Sequence, residues 1–395
     1  MKVLFCSSEC VPFAASGGLG DVTGSLPKAL VKEGLDVRVI LPLYQKTKDK
    51  YIDDLKFLTS FYVPFGWRNR YCGLFTLEKD GVTYYFIDNE YYFYRPGLYG
   101  YYDDGERFAY FSKAILESLQ YIDFGPDVIH TNDWQTALVN LYINSYYRHL
   151  DKFYGIKTVF TIHNIQYQGQ YGLNVIDEVV GVPDAWKHLL EYNGDANYMK
   201  AAIEAADKVT TVSPTYAGQI LDPWYACGLD GILQARQFKI QGILNGIDYD
   251  EYNPKTDKLI VKNYYSGAFI KGKAACKNDL REYFNLEKDD SPIISIVSRL
   301  VDHKGVDIIR DSAERLVNRG YQLVCLGSGE WQYEEFFRYL AGKYPGRVGV
   351  EIGFVPALAR KIYAGSDMFL MPSKSEPCGL SQMIALRYGT VPIVR

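Results

Sequence analysis

Short apolar runs alternate along this chain with stretches whose apolar positions recur every three or four residues, a rhythm that predicts strands separated by helices. Residues 3–6 are the first strand candidate, residues 22–33 a helix with Leu26, Leu30 and Val31 on one face, and residues 37–41 the second strand. The segment between, Ser16-Gly17-Gly18-Leu19-Gly20-Asp21, is expected to be a turn whose glycines let the backbone approach a ligand closely. Residues 51–102 interrupt the rhythm: the runs 57–63, 71–77 and 82–87 are strand-like and joined by turn residues, which predicts an antiparallel excursion. The α/β pattern resumes with a helix over 106–119, a strand over 128–130 and a helix through Leu138 and Leu141. A strand over 158–162 then ends on His163 and Asn164, followed by a helix over 198–206 and a strand over 208–212. Ser213 and Pro214 open a further helix as cap and first-turn proline.

Residues 242–253, GILNGIDYDEYN, are rich in Gly, Asn and Asp and mark a domain boundary. The expected division is a first domain over 1–243, a linker over 244–252 and a second domain over 253–395. Beyond the boundary, strand candidates at 293–297, 322–326, 348–352, 368–371 and 391–394 are separated by helical stretches at 306–317, 331–344, 357–363 and 380–388. The last strand, apolar and largely β-branched, is expected to be buried. The fold class is therefore α/β, with two Rossmann-like, doubly wound parallel sheets expected to face each other across a cleft. Ligands of such sheets bind outside the carboxyl ends of the strands.

One turn at such a strand end organises the chemistry. In GSDMFLMPSKSEPCGLSQMIALRYGT, from Gly365, a strand gives way to a loop and a helix start, and Glu376 lies in that loop. Free N–H groups around 378–381 would favour an anionic or hydroxyl-rich ligand; a carboxylate there also serves as a simple cap. Arg299 and Lys304 share the loop after the strand 293–297, and a planar fork beside a point charge suits a diphosphate, although a solvated loop with surface ion pairs would look the same. Gly327-Ser328-Gly329, one βα unit later, could admit a base or phosphate. His163 in TIHN and the cluster His130, Asn132, Asp133 and Trp134 in HTNDW stand on neighbouring strand ends, where two polar clusters suggest a site. Trp134 either stacks on a sugar or fills a gap.

Composition narrows the class. Lys and Arg number 43 against 47 Asp and Glu, a net charge of −4 with no basic block, so nucleic acid is not an expected partner. Seven scattered cysteines lack C-x-x-C spacing, which indicates neither a disulfide framework nor a zinc site. No run approaches the length of a membrane span and the N-terminus lacks a signal-like core, so the expected location is the cytoplasm. There is no G-x-G-x-x-G with an acidic ribose hook, no P-loop and no G-x-S-x-G elbow, which disfavours a dinucleotide oxidoreductase, a P-loop NTPase and a serine hydrolase.

Seven segments together carry a resemblance: SGGLGDV from Ser16, DVIHTNDW from Asp127, FTIHNIQYQG from Phe160, TVSPTYA from Thr211, GILNGIDYDEYNP from Gly242, SRLVDHKG from Ser298 and MPSKSEPCGL from Met371. The chain resembles bacterial glycogen synthases and plant starch synthases, retaining glycosyltransferases of the GT-B architecture. The resemblance implies transfer of glucose from ADP-glucose to the non-reducing end of an α-1,4-glucan, with no metal or other cofactor. By motif, it implies that Arg299 and Lys304 neutralise the diphosphate, that Glu376 binds the sugar, and that Cys378, Gly379 and Leu380 present backbone to the glucose. His163 and Asn245 match residues that reach the glucose from the first domain, and Asp133 and Asp21 match residues near donor or acceptor. Gly17, Gly18 and Gly329 are the glycines expected close to ligand.

Three positions depart from the family pattern. Ala15 stands where the family carries Lys, and Gln135 where many relatives carry His. The sequence stops at TVPIVR, where the family continues into a Thr-Gly-Gly-Leu loop and a terminal helix, so the second domain is expected to be incomplete at that end. The alternatives implied are a non-catalytic glucan-binding relative and a transferase using another nucleotide sugar.

Overall fold

Strand β1 (Lys2–Cys6) has no polar face: Val3, Leu4, Phe5 and Cys6 are all buried, as befits a strand paired on both edges and covered on both sides. The computed structural model describes residues 1–395, and the chain divides into two units, Met1–Gly246 and Ile247–Arg395. The first unit continues with β2 (Asp36–Pro42), β3 (Lys56–Phe65), β4 (Arg68–Lys79), β5 (Val82–Asp88), β6 (Val128–Asn132), β7 (Lys157–Ile162), β8 (Gln170–Gly172), β9 (Glu191–Tyr192), β10 (Asp195–Asn197), β11 (Lys208–Thr211) and β12 (Ile240–Gly242). The second unit holds β13 (Ile293–Val297), β14 (Gln322–Gly327), β15 (Val348–Ile352), β16 (Met368–Met371) and β17 (Val391–Val394).

In the first unit nine strands form one sheet in the order β12-β11-β7-β6-β1-β2-β5-β4-β3. Neighbours are parallel from β12 to β5, and β4 and β3 then add antiparallel. The antiparallel excursion is thus an extension of the main sheet: β5 belongs to the parallel core, and β3 and β4 are a hairpin on its flank. Strands β8, β10 and β9 make a separate three-stranded sheet. The chain first builds outward from β1 through β2 to β5, then returns to β6 and builds the other way, so the order reverses between β1 and β6. In the second unit the order is β15-β14-β13-β16-β17, all parallel, and the reversal lies between β13 and β16. Each reversal opens a crevice at the carboxyl ends of two strands, where loops diverge to opposite faces.

Two expectations are corrected. The glycine-rich segment is mostly helix, because the first helix spans Gly18–Lys32 and only Ser16 and Gly17 precede it. Gly20 and Gly24 serve packing: a Cβ at Gly20 would lie 2.6 Å from Ala15 Cβ, and one at Gly24 2.6 Å from the Val11 carbonyl oxygen. Pro27 lies inside this helix and cannot donate to Thr23, whose carbonyl instead accepts the Cys10 thiol at 3.2 Å. Residues 391–394 do form a strand, but not a buried one. β17 pairs only with β16, at the edge of the sheet, and Val391, Ile393 and Val394 are exposed. No helix is long and apolar enough to cross a membrane.

Candidate functional site

In the second unit the crevice between β13 and β16 is built by two loops locked together. Gly305 adopts φ 70°, and a Cβ there would collide with the Pro372 carbonyl oxygen, so the loop after β13 closes against the loop after β16 only with glycine at this position. The Lys374 amide donates to the His303 carbonyl at 2.9 Å, and Lys374 Nζ reaches Asp302 at 2.9 Å and Asp307 at 2.8 Å. On this frame Lys304 Nζ donates to Glu376 Oε2 at 2.6 Å, and Ser373 Oγ donates to the same oxygen at 3.0 Å. Arg299 is exposed in the same loop and has no carboxylate partner. The His303 imidazole is held below its ordinary value, by burial first and then by Lys304 and Arg299, with Glu376 and Asp302 pulling the other way.

Gly379 is left-handed at φ 79° and begins the helix Leu380–Arg387, whose first turn has no side-chain cap. The N–H groups at its start, those of Gly379 and Leu380, lie in the same loop-to-helix turn as Glu376. Gly327 and Gly329 also serve packing in this structure. A Cβ at Gly327 or Gly329 would collide with the carbonyls of Ser298 or Leu300, and Gly329 N donates to Glu334 Oε1 at 2.9 Å. Those glycines let the 327–329 turn pack on the Arg299 loop, and the Gly329 N–H is already used.

In the first unit the ends of β1, β6 and β7 converge. Glu9, only 4% exposed, accepts from Ser16 N at 2.5 Å, Ser16 Oγ at 2.7 Å, Gly17 N at 3.3 Å and Tyr99 OH at 2.9 Å. This carboxylate fixes the turn that leads into Gly18 and Asp21. Asp133 sits at φ 55° just past β6, and its Oδ1 accepts from His163 N at 2.7 Å and Asn164 N at 3.4 Å. Burial pushes its carboxyl up to about 7; the two N–H donors pull against this and Glu9 adds to it. His163 is buried at the end of β7, and desolvation, with His130 nearby, pushes its imidazole down to about 3. It is neutral, and its tautomer follows from its neighbour. Asn132 Nδ2 donates to the Cys6 carbonyl at 3.1 Å, so Asn132 Oδ1 faces His163 Nε2 at 3.0 Å and the proton lies on Nε2. Nδ1 then carries the lone pair.

The structure therefore gathers Arg299, Lys304, Glu376, Cys378, Gly379 and Leu380 at one crevice, and Gly17, Gly18, Asp21, Asp133 and His163 around the other. Asn245 follows β12, with its N–H on the Val212 carbonyl at 3.3 Å, two strands from β7. Trp134 fills a gap: it is buried against Phe108, Tyr171 and Tyr198, and a Cβ at Gly169 would lie 2.5 Å from its ring. Glu9, Tyr99 and Ser373 are site residues that motif reading missed. Of these, only Glu9 carried a signal, as a lone carboxylate closely following the first strand. No group of three or more His, Cys, Asp or Glu side chains is placed to hold a metal ion.

Comparison with known proteins identifies the family and the fold. Residues 2–235 match the starch synthase catalytic domain and residues 279–395 match glycosyl transferases group 1. A glycogen synthase from Bacillus cereus is 50% identical over 398 aligned positions, covering 100% of this chain and 83% of the relative. One from Clostridium kluyveri is 48% identical, covering 100% of this chain and 84% of the relative. Among solved structures, the catalytic domain of starch synthase IV from Arabidopsis thaliana, bound to ADP and acarbose, superposes with a TM-score of 0.91 at 34% identity, covering 100% of this chain and 82% of that one.

Proposed function

The chain belongs to the family of glycogen and starch synthases, and from that premise we propose that it transfers glucose from ADP-glucose to the non-reducing end of an α-1,4-glucan with retention of configuration. The observation that carries this reading is the Lys304–Glu376 pair at 2.6 Å beside the unpaired Arg299, at the crevice of the second unit. A diphosphate entering there meets Arg299 directly and draws on Lys304, whose charge is otherwise shared with Glu376. Glu376 and the N–H groups of Gly379 and Leu380 hold sugar hydroxyls. As the bond from the anomeric carbon to the phosphate oxygen breaks, the electron pair leaves with ADP and the two cations stabilise it. The acceptor hydroxyl forms its new bond on the face that ADP leaves, and its proton passes to the departing phosphate oxygen, which retains configuration. We propose that these side-chain cations do this without a metal or other cofactor.

The groups of the first unit are assigned to acceptor and sugar hydroxyls. His163, neutral with its lone pair on Nδ1, accepts from a hydroxyl, and Asp133 and Asp21 accept others. Incorporation of label from ADP-glucose into glycogen tests the proposal. The parent chain is expected to make glucan, and Arg299→Ala to lose roughly 10²–10³ in rate. A parent that turns over no ADP-glucose, or an Arg299→Ala variant with parental rate, would overturn it.

A further inference from the structure

We propose that Arg107 and Asp104 are positioning residues for the reaction: they set the segment that holds Tyr99 on Glu9, and through Glu9 the turn at Ser16 and Gly17; this rests on the glucan-synthase reading above. Tyr99 lies in the irregular segment between the helices Glu90–Phe93 and Asp104–Ser118. No helix or strand holds that segment, so the partners of its backbone groups fix where Tyr99 stands. Arg107 is fully buried; its Nε donates to the Tyr92 carbonyl at 2.8 Å and its Nη1 to the Leu98 carbonyl at 3.3 Å. Nη1 also donates to Asp104 Oδ1, while Asp104 Oδ2 accepts from Gly100 N at 2.8 Å and Tyr101 N at 3.3 Å. One ion pair therefore grips the backbone on both sides of Tyr99. The Tyr99 hydroxyl meets Glu9 Oε1 at 2.9 Å and Ser8 Oγ at 2.7 Å, and Glu9 Oε2 accepts from Ser16 N and Gly17 N.

Stability alone does not account for a guanidinium at this place. The rings of Tyr101, Phe108 and Phe93 lie 4.8, 5.2 and 5.6 Å from its carbon, and its Nη2 has no hydrogen-bond partner. A buried ion pair with an unpaired donor carries a desolvation cost that an apolar side chain of similar volume avoids. What the pair provides instead is direction. A planar fork ties the carbonyls of Tyr92 and Leu98 to the carboxylate that holds the next two amides, which a point charge cannot do at once. Neither residue bonds to Glu9 or to the glycine turn; both act through Tyr99.

A double-mutant cycle tests this, pairing Tyr99→Phe with Arg107→Lys, which keeps the cation and loses the fork. Initial rates are measured with maltotetraose as the varied acceptor at saturating ADP-glucose. Each single variant is expected to raise KM for maltotetraose about 10-fold with kcat little changed, and the double variant to go no further than the larger single effect, because the hydroxyl that Arg107 places is already gone. A lower urea midpoint for Arg107→Lys follows from a merely structural role as well; the coupling in KM does not. Near-ultraviolet circular dichroism identifies a variant that fails to fold, and Asp104→Asn then replaces Arg107→Lys in the cycle. Where neither folds, Tyr99→Phe decides alone, because it leaves the ion pair intact. With a parent that makes glucan, effects that multiply in the double variant, or a parental KM for Tyr99→Phe, overturn this inference alone. A parent that makes none overturns the proposed function and this inference with it.

Discussion

Replacing Asp133 by Asn should change how stability depends on pH, with a sign set by the direction of its shift. The Asp133 carboxyl ionises near 3.8 in the unfolded chain and at about 7 in the folded one, where burial penalises the charge. Between those values the folded state binds the extra proton, so the contribution of this group is favourable at low pH and is lost as pH rises through about 7. Integrated from pH 5 to pH 8, the loss is about 2–3 kcal/mol. His130 and His163 act in the opposite sense, because burial pushes their imidazoles down to about 4 and about 3 from 6.5; they favour the folded state as pH rises through 6.5. The two effects oppose each other in the parent. An asparagine side chain at this position would keep an acceptor for His163 N and Asn164 N, tolerates the φ of 55°, and has no charge to bury. The stability of Asp133→Asn relative to the parent should therefore improve by about 2–3 kcal/mol on going from pH 5 to pH 8. Urea unfolding followed by tryptophan fluorescence suits the measurement, because Trp134 is buried beside this residue while Trp67, Trp224 and Trp331 are exposed. A stability difference between the two proteins that stays constant over this range, or that shifts in favour of the parent as pH rises, would refute the reasoning.

Lys304→Ala and Glu376→Ala should each lower glucan synthesis by roughly 10²–10³ with an unchanged unfolding midpoint, since both side chains are partly exposed; initial rates with labelled ADP-glucose check this, and parental rates would remove both from the machinery. Gly305→Ala should destabilise the second unit by about 1–3 kcal/mol and depress activity, because the left-handed backbone and the Pro372 carbonyl both exclude a Cβ; a parental urea midpoint with parental activity contradicts it. Ala15→Lys should tighten ADP-glucose binding, because Ala15 is exposed at the turn before the first helix; calorimetry showing equal or weaker binding speaks against a donor contact there.

Most of the parallel core was legible because it is written in unbroken apolar runs. Residues 293–296 and 322–327 are buried on both faces, and no other element type explains so short a run between turn residues. The helix Phe269–Tyr283 went unread because only Gly272, Cys276, Leu280 and Arg281 of its fifteen residues are buried, and two of those four are not apolar. Residues 391–394 were legible as a strand, whose one partner is β16. Arg299, Lys304, Glu376, Asp133 and His163 were found through motif. Asn132 stood in the same HTNDW cluster, but its hold on the His163 tautomer was not legible, and Glu9 was not found, because the partners of both are brought together only by the fold.

Lys304 and Glu376 stand 72 positions apart in sequence, and the chain between them contains β14, β15 and the helices Val306–Asn318, Trp331–Lys343 and Pro356–Gly365. The two meet because β16 pairs beside β13, on the opposite flank from β14 and β15. Closing a longer loop adds little entropy by itself, so a separation of 72 positions is a small cost beside the pairing of the strands that fix it. The Lys304–Glu376 contact is therefore a product of the whole sheet: without the pairing of β16 with β13, Arg299 and Lys304 are cations of an ordinary βα loop.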